Sequence, residues 1–284
     1  MPPTLVFDLE TVPDVAGYRM LLGLDATLSD ADVVEVALQR RRAATGHEFL
    51  PLHLQRVVAI ACVLREGESL RVWSLGATAA PPPAAYLLRT SAVPATRADA
   101  QGERELIQRF FDGIDKYTPQ LVSWNGGGFD LPVLHYRGLL HGVVAPRYWE
   151  LGEGDYTDSR DFRFNNYINR YHTRHIDLMD VLSLFQPRAS APLDQVARLL
   201  GFPGKLGMDG SQVWEAVQAG RIADVRNYCE TDALNTWLVF LRFQLMRGVL
   251  ERDAYDREIA LARTTVAQLD EPHWREFLAH WSDA

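Results

Sequence analysis

In "VFDLETV" (6–12), two acids, Asp8 and Glu10, sit two positions apart behind an apolar run that reads as a buried strand. Alternate strand residues point to one face, so the two carboxylates project together. Held side by side they repel, and a cation between them relieves that repulsion. A second stretch, "SWNGGGFDLPVL" (123–134), places three glycines between a strand and a helix and leaves Asp130 in the helix's first turn. The glycines permit a close backbone approach but match neither the GxxxxGK[ST] nor the GxGxxG phosphate loop. The third stretch is "YCETDALNTW" (228–237), where Tyr228 and Asp232 lie four apart and share a helix face. Asp232 stands in an apolar run, where a lone carboxylate is costly, so it calls for a partner such as a metal. Taken singly, each stretch also fits a bland role: solvated acids, a first-turn acid, an Asp beside a core Tyr.

The elements around these residues are legible from pattern. "TLVFDLE" (4–10) is a strand, and "SDADVVEVALQRRRAA" (29–44) is a helix capped by Ser29 or Asp30 and inserted before the next strand. "RVVAIACVLR" (56–65) and "SLRVWSL" (69–75) flank "EGE" as a hairpin, making a meander with the first strand. Residues 76–100, with "APPPAA" at their centre, read as a surface loop or insertion. A helix over 102–117, a strand over 120–125 and a helix from 129 to 140 follow, pointing to a mixed sheet flanked by helices. Residues 152–174 form a long polar loop with one short helix. Order resumes at "HIDLMDVLSLF", and the rest is helical, punctuated by Gly201, Gly220 and Gly248, with a tail over 251–279.

The chain has 284 residues, 47% of them hydrophobic, and a net charge of −8. That balance argues against broad, nonspecific binding to nucleic acid, which needs a basic surface, and leaves room for a local site. Nearly all the positive charge is arginine, since Lys116 and Lys205 are the only lysines. Cys62 and Cys229 lack metal-ligand spacing and read as buried thiols. No window has the apolar length of a membrane span and no signal-like leader is evident, so a soluble, cytoplasmic protein without membrane association is expected.

The ordered set "FDLE", "NGGGFD" and "YCETD" resembles the three exonuclease motifs of the DEDD superfamily, over residues 4–248. In detail it is similar to the exonuclease domain of family-B DNA polymerases and to the stand-alone bacterial proteins predicted to be 3′→5′ exonucleases related to it. The resemblance implies an α/β, RNase H-like mixed five-stranded sheet flanked by helices, with an inserted N-terminal helix and a helical C-terminal tail. It implies one exonuclease domain over 1–248, with insertions at about 14–50 and 76–100, and a helical extension over 249–284 packed on it. The last motif holds Tyr228 four before Asp232 and Asn227, not His, five before it, which resembles the DEDDy branch.

By that resemblance Asp8, Glu10 and Asp232 ligate one divalent metal, Asp8 bridges to a second, and Asp130 holds the second directly or through water. Hard oxygen ligands favour Mg2+ or Mn2+. Tyr228 would orient the attacking water, with Thr11, Asn125 and Phe129 as substrate contacts. The implied reaction is 3′→5′ hydrolysis of single-stranded nucleic acid, DNA favoured over RNA, releasing nucleoside 5′-monophosphates. A replication or repair protein is an expected partner.

Other residues have plainer readings. Asp155, Asp158 and Asp161 are expected to be solvated; His172 and His175 lack further zinc ligands; Asp177 and Asp180 read as helix-start acids with cleft lining as the alternative. Lys205, in "GFPGKLG", is either a turn residue or a contact to backbone phosphate. Two alternative functions stand beside the main one. A haloacid dehalogenase-type phosphatase is suggested by "DLETV", although Glu10 replaces its second Asp. A non-catalytic RNase H-like binding module is opposed by the presence of all four acids and the Tyr.

Overall fold

The computed structural model describes residues 2–76 and 100–282. Apart from its ends, the loop expected over 76–100 lies outside the described residues. The chain runs β1 (Thr4–Pro13), α1 (Val15–Leu22), α2 (Asp30–Thr45), β2 (Gln55–Glu66), β3 (Ser69–Gly76), α3 (Ala100–Tyr117), β4 (Gln120–Ser123), α4 (Asp130–His141), α5 (Ser159–Phe162) and β5 (His175–Asp177). Six helices follow: α6 (Leu178–Leu182), α7 (Leu193–Leu199), α8 (Val213–Gln218), α9 (Ile222–Met246), α10 (Arg252–Leu269) and α11 (Pro272–Ala279).

The strands form one five-stranded sheet in the order β3-β2-β1-β4-β5. The β3-β2-β1 part is the expected antiparallel meander, whereas β1, β4 and β5 run parallel. Parallel neighbours need crossover connections, and α3 and α4 supply them. Helices cover both sheet faces, and a strand with two covered faces must be apolar throughout. "VVAIACVL" in β2 meets that requirement, all eight residues being buried. This is the α/β, RNase H-like architecture that the motifs imply.

One expectation needs correction. The segment after β1 holds two helices, not one. The Asp14 side chain caps α1 by accepting from Gly17 N at 3.0 Å, and Ser29 opens α2 with a reciprocal capping box to Asp32. The tail is helical as expected and comprises two helices: Asp270 takes a left-handed φ of 50° just before Pro272, which starts α11. Arg65 of β2 grips Glu258 of α10 with two 2.7 Å bonds, and His273 of α11 meets the buried Glu230 of α9 at 3.0 Å.

Between the sheet and its flanking helices lies a buried ion cluster. Arg137 of α4 pairs with Glu103 of α3 and with Asp14 at the end of β1, and the Glu103 carboxylate also accepts from Val57 N at 2.8 Å. Burial raises the Glu103 carboxyl, but its bonds to His141 and Arg137 outweigh this and hold it below its ordinary value. One side chain thereby fixes α4 against both β1 and α3. Removing one partner strands the others without water. Arg137→Ala is therefore expected to lower unfolding free energy by about 3–5 kcal/mol, read from the midpoint of urea denaturation; a loss within ±0.5 kcal/mol, as at a plain surface site, would contradict the assignment.

Candidate active site

β1 divides its side chains between two cores. Leu5, Phe7 and Leu9 pack with α3 and α4, whereas Val6 belongs to the core built around α9. Asp8 and Glu10 share the face of Val6. Their cross-strand partners in β2 are Ala61 and Ala59, both fully buried and small enough to let α9 lie close. Helix α9 is buried along most of its 25 residues, which suits a helix passing through the middle of a domain. It delivers Tyr228 and Asp232, one turn apart, against the two β1 acids. Glu10, Asp232 and Tyr228 are buried, and Asp8 is partly exposed. Cys229 lies behind them, its Sγ 3.3 Å from the Asp8 carbonyl and 3.5 Å from Asp8 Oδ2.

Asp130 comes from the other side of the sheet. Parallel pairing of β1 with β4 ends at Val6 and Val122, so the N–H of Leu9 projects beyond β4. Asp130 Oδ1 accepts it at 3.1 Å, which ties the first turn of α4 to β1. The glycine turn makes this placement possible. Asn125 adopts a left-handed φ of 64°, and the Asp177 carboxylate accepts from Asn125 N at 2.9 Å and Gly127 N at 2.8 Å. A Cβ on Gly126 would lie 2.3 Å from Ser123 Oγ and 2.5 Å from Ser123 Cβ, inside any tolerable contact, so only glycine fits there.

The electrostatics follow from crowding. Burial, then the charges of Asp130, Glu10 and Asp232, push the Asp8 carboxyl well above its ordinary range. Burial and Asp232 do the same to Glu10. Burial raises Asp130 to about 7, against the pull of its own backbone N–H and that of Leu9. Asp232 is also raised by burial, with Lys205 opposing. The Lys205 ammonium touches the Tyr228 hydroxyl and lies 3.4 Å from Asp232 Oδ2. Burial lowers its pKa, but Asp232, Asp8 and Glu10 outweigh this and hold the amine above its usual value. The Tyr228 phenol is pushed far up, first by burial and then by the same acids.

The residues present fit a divalent metal. Asp232 Oδ1 is buried without a hydrogen-bond partner, and the four acids offer hard oxygen donors whose repulsion one ammonium only partly offsets. Asp8, Glu10 and Cys229 bring one potential ligand atom each within 4.8 Å of one another.

The remaining sequence candidates scatter. Thr11, just past a register shift at Glu10, donates to Gln55 Oε1 at 3.1 Å. Asn125 forms the glycine turn. Phe129, partly buried, packs on Phe49 with ring centroids 5.9 Å apart. His175 Nε2 bonds Ser123 Oγ at 2.8 Å while His172 Nδ1 accepts from Asn166 N at 3.0 Å, so the two histidines do not converge. Asp155 and Asp161 are exposed, but Asp158, expected to be solvated, pairs with Arg147. Asp177 both caps α6 and holds the glycine turn, a role that only its position at the end of a strand could have suggested. Lys205 faces the acids instead of open solvent. Cys229, read as a plain buried thiol, lies against Asp8; its place next to Tyr228 on α9 was the available signal.

Residues 47–281 match a family described as "Predicted 3'-5' exonuclease related to the exonuclease domain of PolB". A stretch of 39 residues is 51% identical to part of "DNA polymerase 1" from Sulfurisphaera ohwakuensis, covering 14% of this chain and 4% of that protein. The similarity to that relative therefore concerns a small part of its length.

The raised carboxyls make stability depend on pH. An acid whose folded pKa exceeds its unfolded one binds its proton more tightly when folded, so its contribution is full below the unfolded value and lost as pH rises through the folded value. For Asp130 that window runs from 3.8 to about 7. A divalent ion held among these acids would replace the lost protons. Added Mn2+ is expected to raise Tm more at about pH 8 than at about pH 5.5, measured by thermal unfolding; equal shifts at both would contradict the cluster's electrostatics.

Proposed function

Because the chain belongs to the family of predicted 3'-5' exonucleases related to the exonuclease domain of PolB, we propose that it is a metal-dependent enzyme shortening single-stranded nucleic acid, DNA in preference, from the 3′ end with release of nucleoside 5′-monophosphates. The observation that carries this reading is the convergence of Asp8, Glu10, Asp130 and Asp232 beside Tyr228. Asp8 and Glu10 precede the matched residues, so their inclusion rests on that geometry.

Asp8, Glu10 and Asp232 would hold one Mg2+ or Mn2+, with Asp8 shared towards a second ion that Asp130 would hold directly or through water. When bound, such a pair of ions acidifies water and stabilises the attacking and leaving oxygens of an in-line phosphodiester displacement. Tyr228, with its pKa raised, keeps its proton at neutral pH and so acts by orienting a water through its hydroxyl, not by removing a proton. Lys205, against that hydroxyl, fixes the direction in which it points. Thr11 is proposed to contact the terminal nucleotide, and Asn125 and Phe129 to line the path of the strand. A cytoplasmic setting and a replication or repair protein as partner belong to the same proposal; no helix of the described residues is long and apolar enough to cross a membrane.

The purified protein is expected to shorten a 5′-labelled oligonucleotide stepwise from its 3′ end with Mg2+ or Mn2+ and to stop on chelation; an intact strand with both metals would sink the proposal. Asp8→Ala is expected to lower the rate by ~10³-fold or more, about 4 kcal/mol of transition-state stabilisation, with circular dichroism unchanged. Tyr228→Phe keeps the ring and loses the hydroxyl. It is expected to lower kcat by about a hundredfold with strand affinity retained, and an unchanged kcat would remove Tyr228 from the chemistry.

A further inference from the structure

The segment leading into β5, "RDFRFNNYINRYHTR" (160–174), carries four arginines and one acid in a chain of net charge −8. Part of its aromatic content is structural. Phe162 and Tyr167 are buried, with the Arg174 guanidinium 3.8 Å from the Phe162 ring centre. The rest is presented outward. Tyr171 is 75% exposed, and its ring stands 5.5 Å from that of Phe185 at a steep angle. The Arg170 guanidinium covers Phe185 at 4.5 Å and lies 5.7 Å from Tyr171.

Backbone strain contributes to this display. Leu184 and Phe185 both adopt left-handed φ, 53° and 60°, which bulky residues avoid. The result is a Leu184 side chain 77% exposed beside the aromatic pair. The cluster also has a fixed relation to the acids. Arg170 lies 3.7 Å from Asp180 in the first turn of α6, and Asp177, the cap of that helix, holds the glycine turn that carries Asp130. The five-residue α6 thus separates this cluster, with Tyr171 exposed and Phe185 partly buried, from the turn that positions Asp130.

We infer that Tyr171, Phe185 and Arg170 form a stacking platform for unpaired bases of the substrate strand, on the 5′ side of the bond being cut. Ring faces and guanidinium planes accept any base, because every base has a π-face, and the local positive charge offsets strand phosphates on an otherwise acidic protein. Double-stranded nucleic acid hides those faces in its stack, so the platform selects single strands. The inference rests on the exonuclease reading for the polarity of the strand but not for its binding.

The test uses the full chain, with fluorescence anisotropy on 5′-labelled thymidine oligomers of about four and about twelve nucleotides protected by 3′-terminal phosphorothioate linkages. Tyr171→Ala is expected to weaken binding of the longer oligomer about tenfold or more and to leave the shorter one nearly unchanged. Arg170→Ala is expected to reduce the slope of log affinity against log salt by about 0.7 if it meets one phosphate. Both side chains are exposed, so folding is not at stake. Unchanged affinity for the longer oligomer in both variants overturns the platform. If the wild-type protein binds the longer oligomer in a Tyr171-dependent way yet shortens no unprotected strand, the exonuclease reading falls and the platform stands. If it shortens the strand and neither variant alters binding, only the platform falls.

Discussion

Four carboxylates crowd the space between one strand end and two helices, and their mutual repulsion is the constraint to which the surrounding structure answers. Each element near them either brings an acid in or holds it against that repulsion. β1 supplies two acids by its period of two, α9 supplies the third with a phenol one turn away, and α4 supplies the fourth through a turn that only glycine can make. Lys205 supplies a compensating charge, and the unpartnered oxygen of Asp232 marks where it falls short.

Holding like charges together requires a frame that does not yield, and the frame is made of unlike parts. Ala59 and Ala61 keep β2 low so that α9 can approach the acids. Arg137 joins α4 to the end of β1, and the carboxylate of Asp177 substitutes for missing backbone partners of the glycine turn. Burial stabilises this frame, and the same burial raises the acids' pKa values. Rigidity and readiness for a cation thus have one origin.

What the sequence revealed follows the reach of each interaction. Asp8 with Glu10 and Tyr228 with Asp232 are visible because their spacing matches the period of the element that carries them. The meander and α9 are visible for the same reason. The helix Val15–Leu22 was hidden by its shortness and by Gly17, and the break at Asp270 by the lack of a glycine. Asp177 on Asn125, Lys205 on Tyr228, Cys229 on Asp8 and Arg137 on Asp14 all join residues 23 to 221 positions apart or lie across separate elements. No local pattern encodes such pairs, and each appears only when the sheet order brings the strand ends together.

The bond from Leu9 N to Asp130 Oδ1 has a further consequence. It commits one oxygen of the carboxyl group to the backbone of β1, while the charge of the group belongs to the acid cluster. An amide at this position could keep that oxygen and replace only the other. Architecture and charge are therefore separable here by exchange of a single atom, so the charge of the cluster could change while the bond that ties α4 to β1 stays.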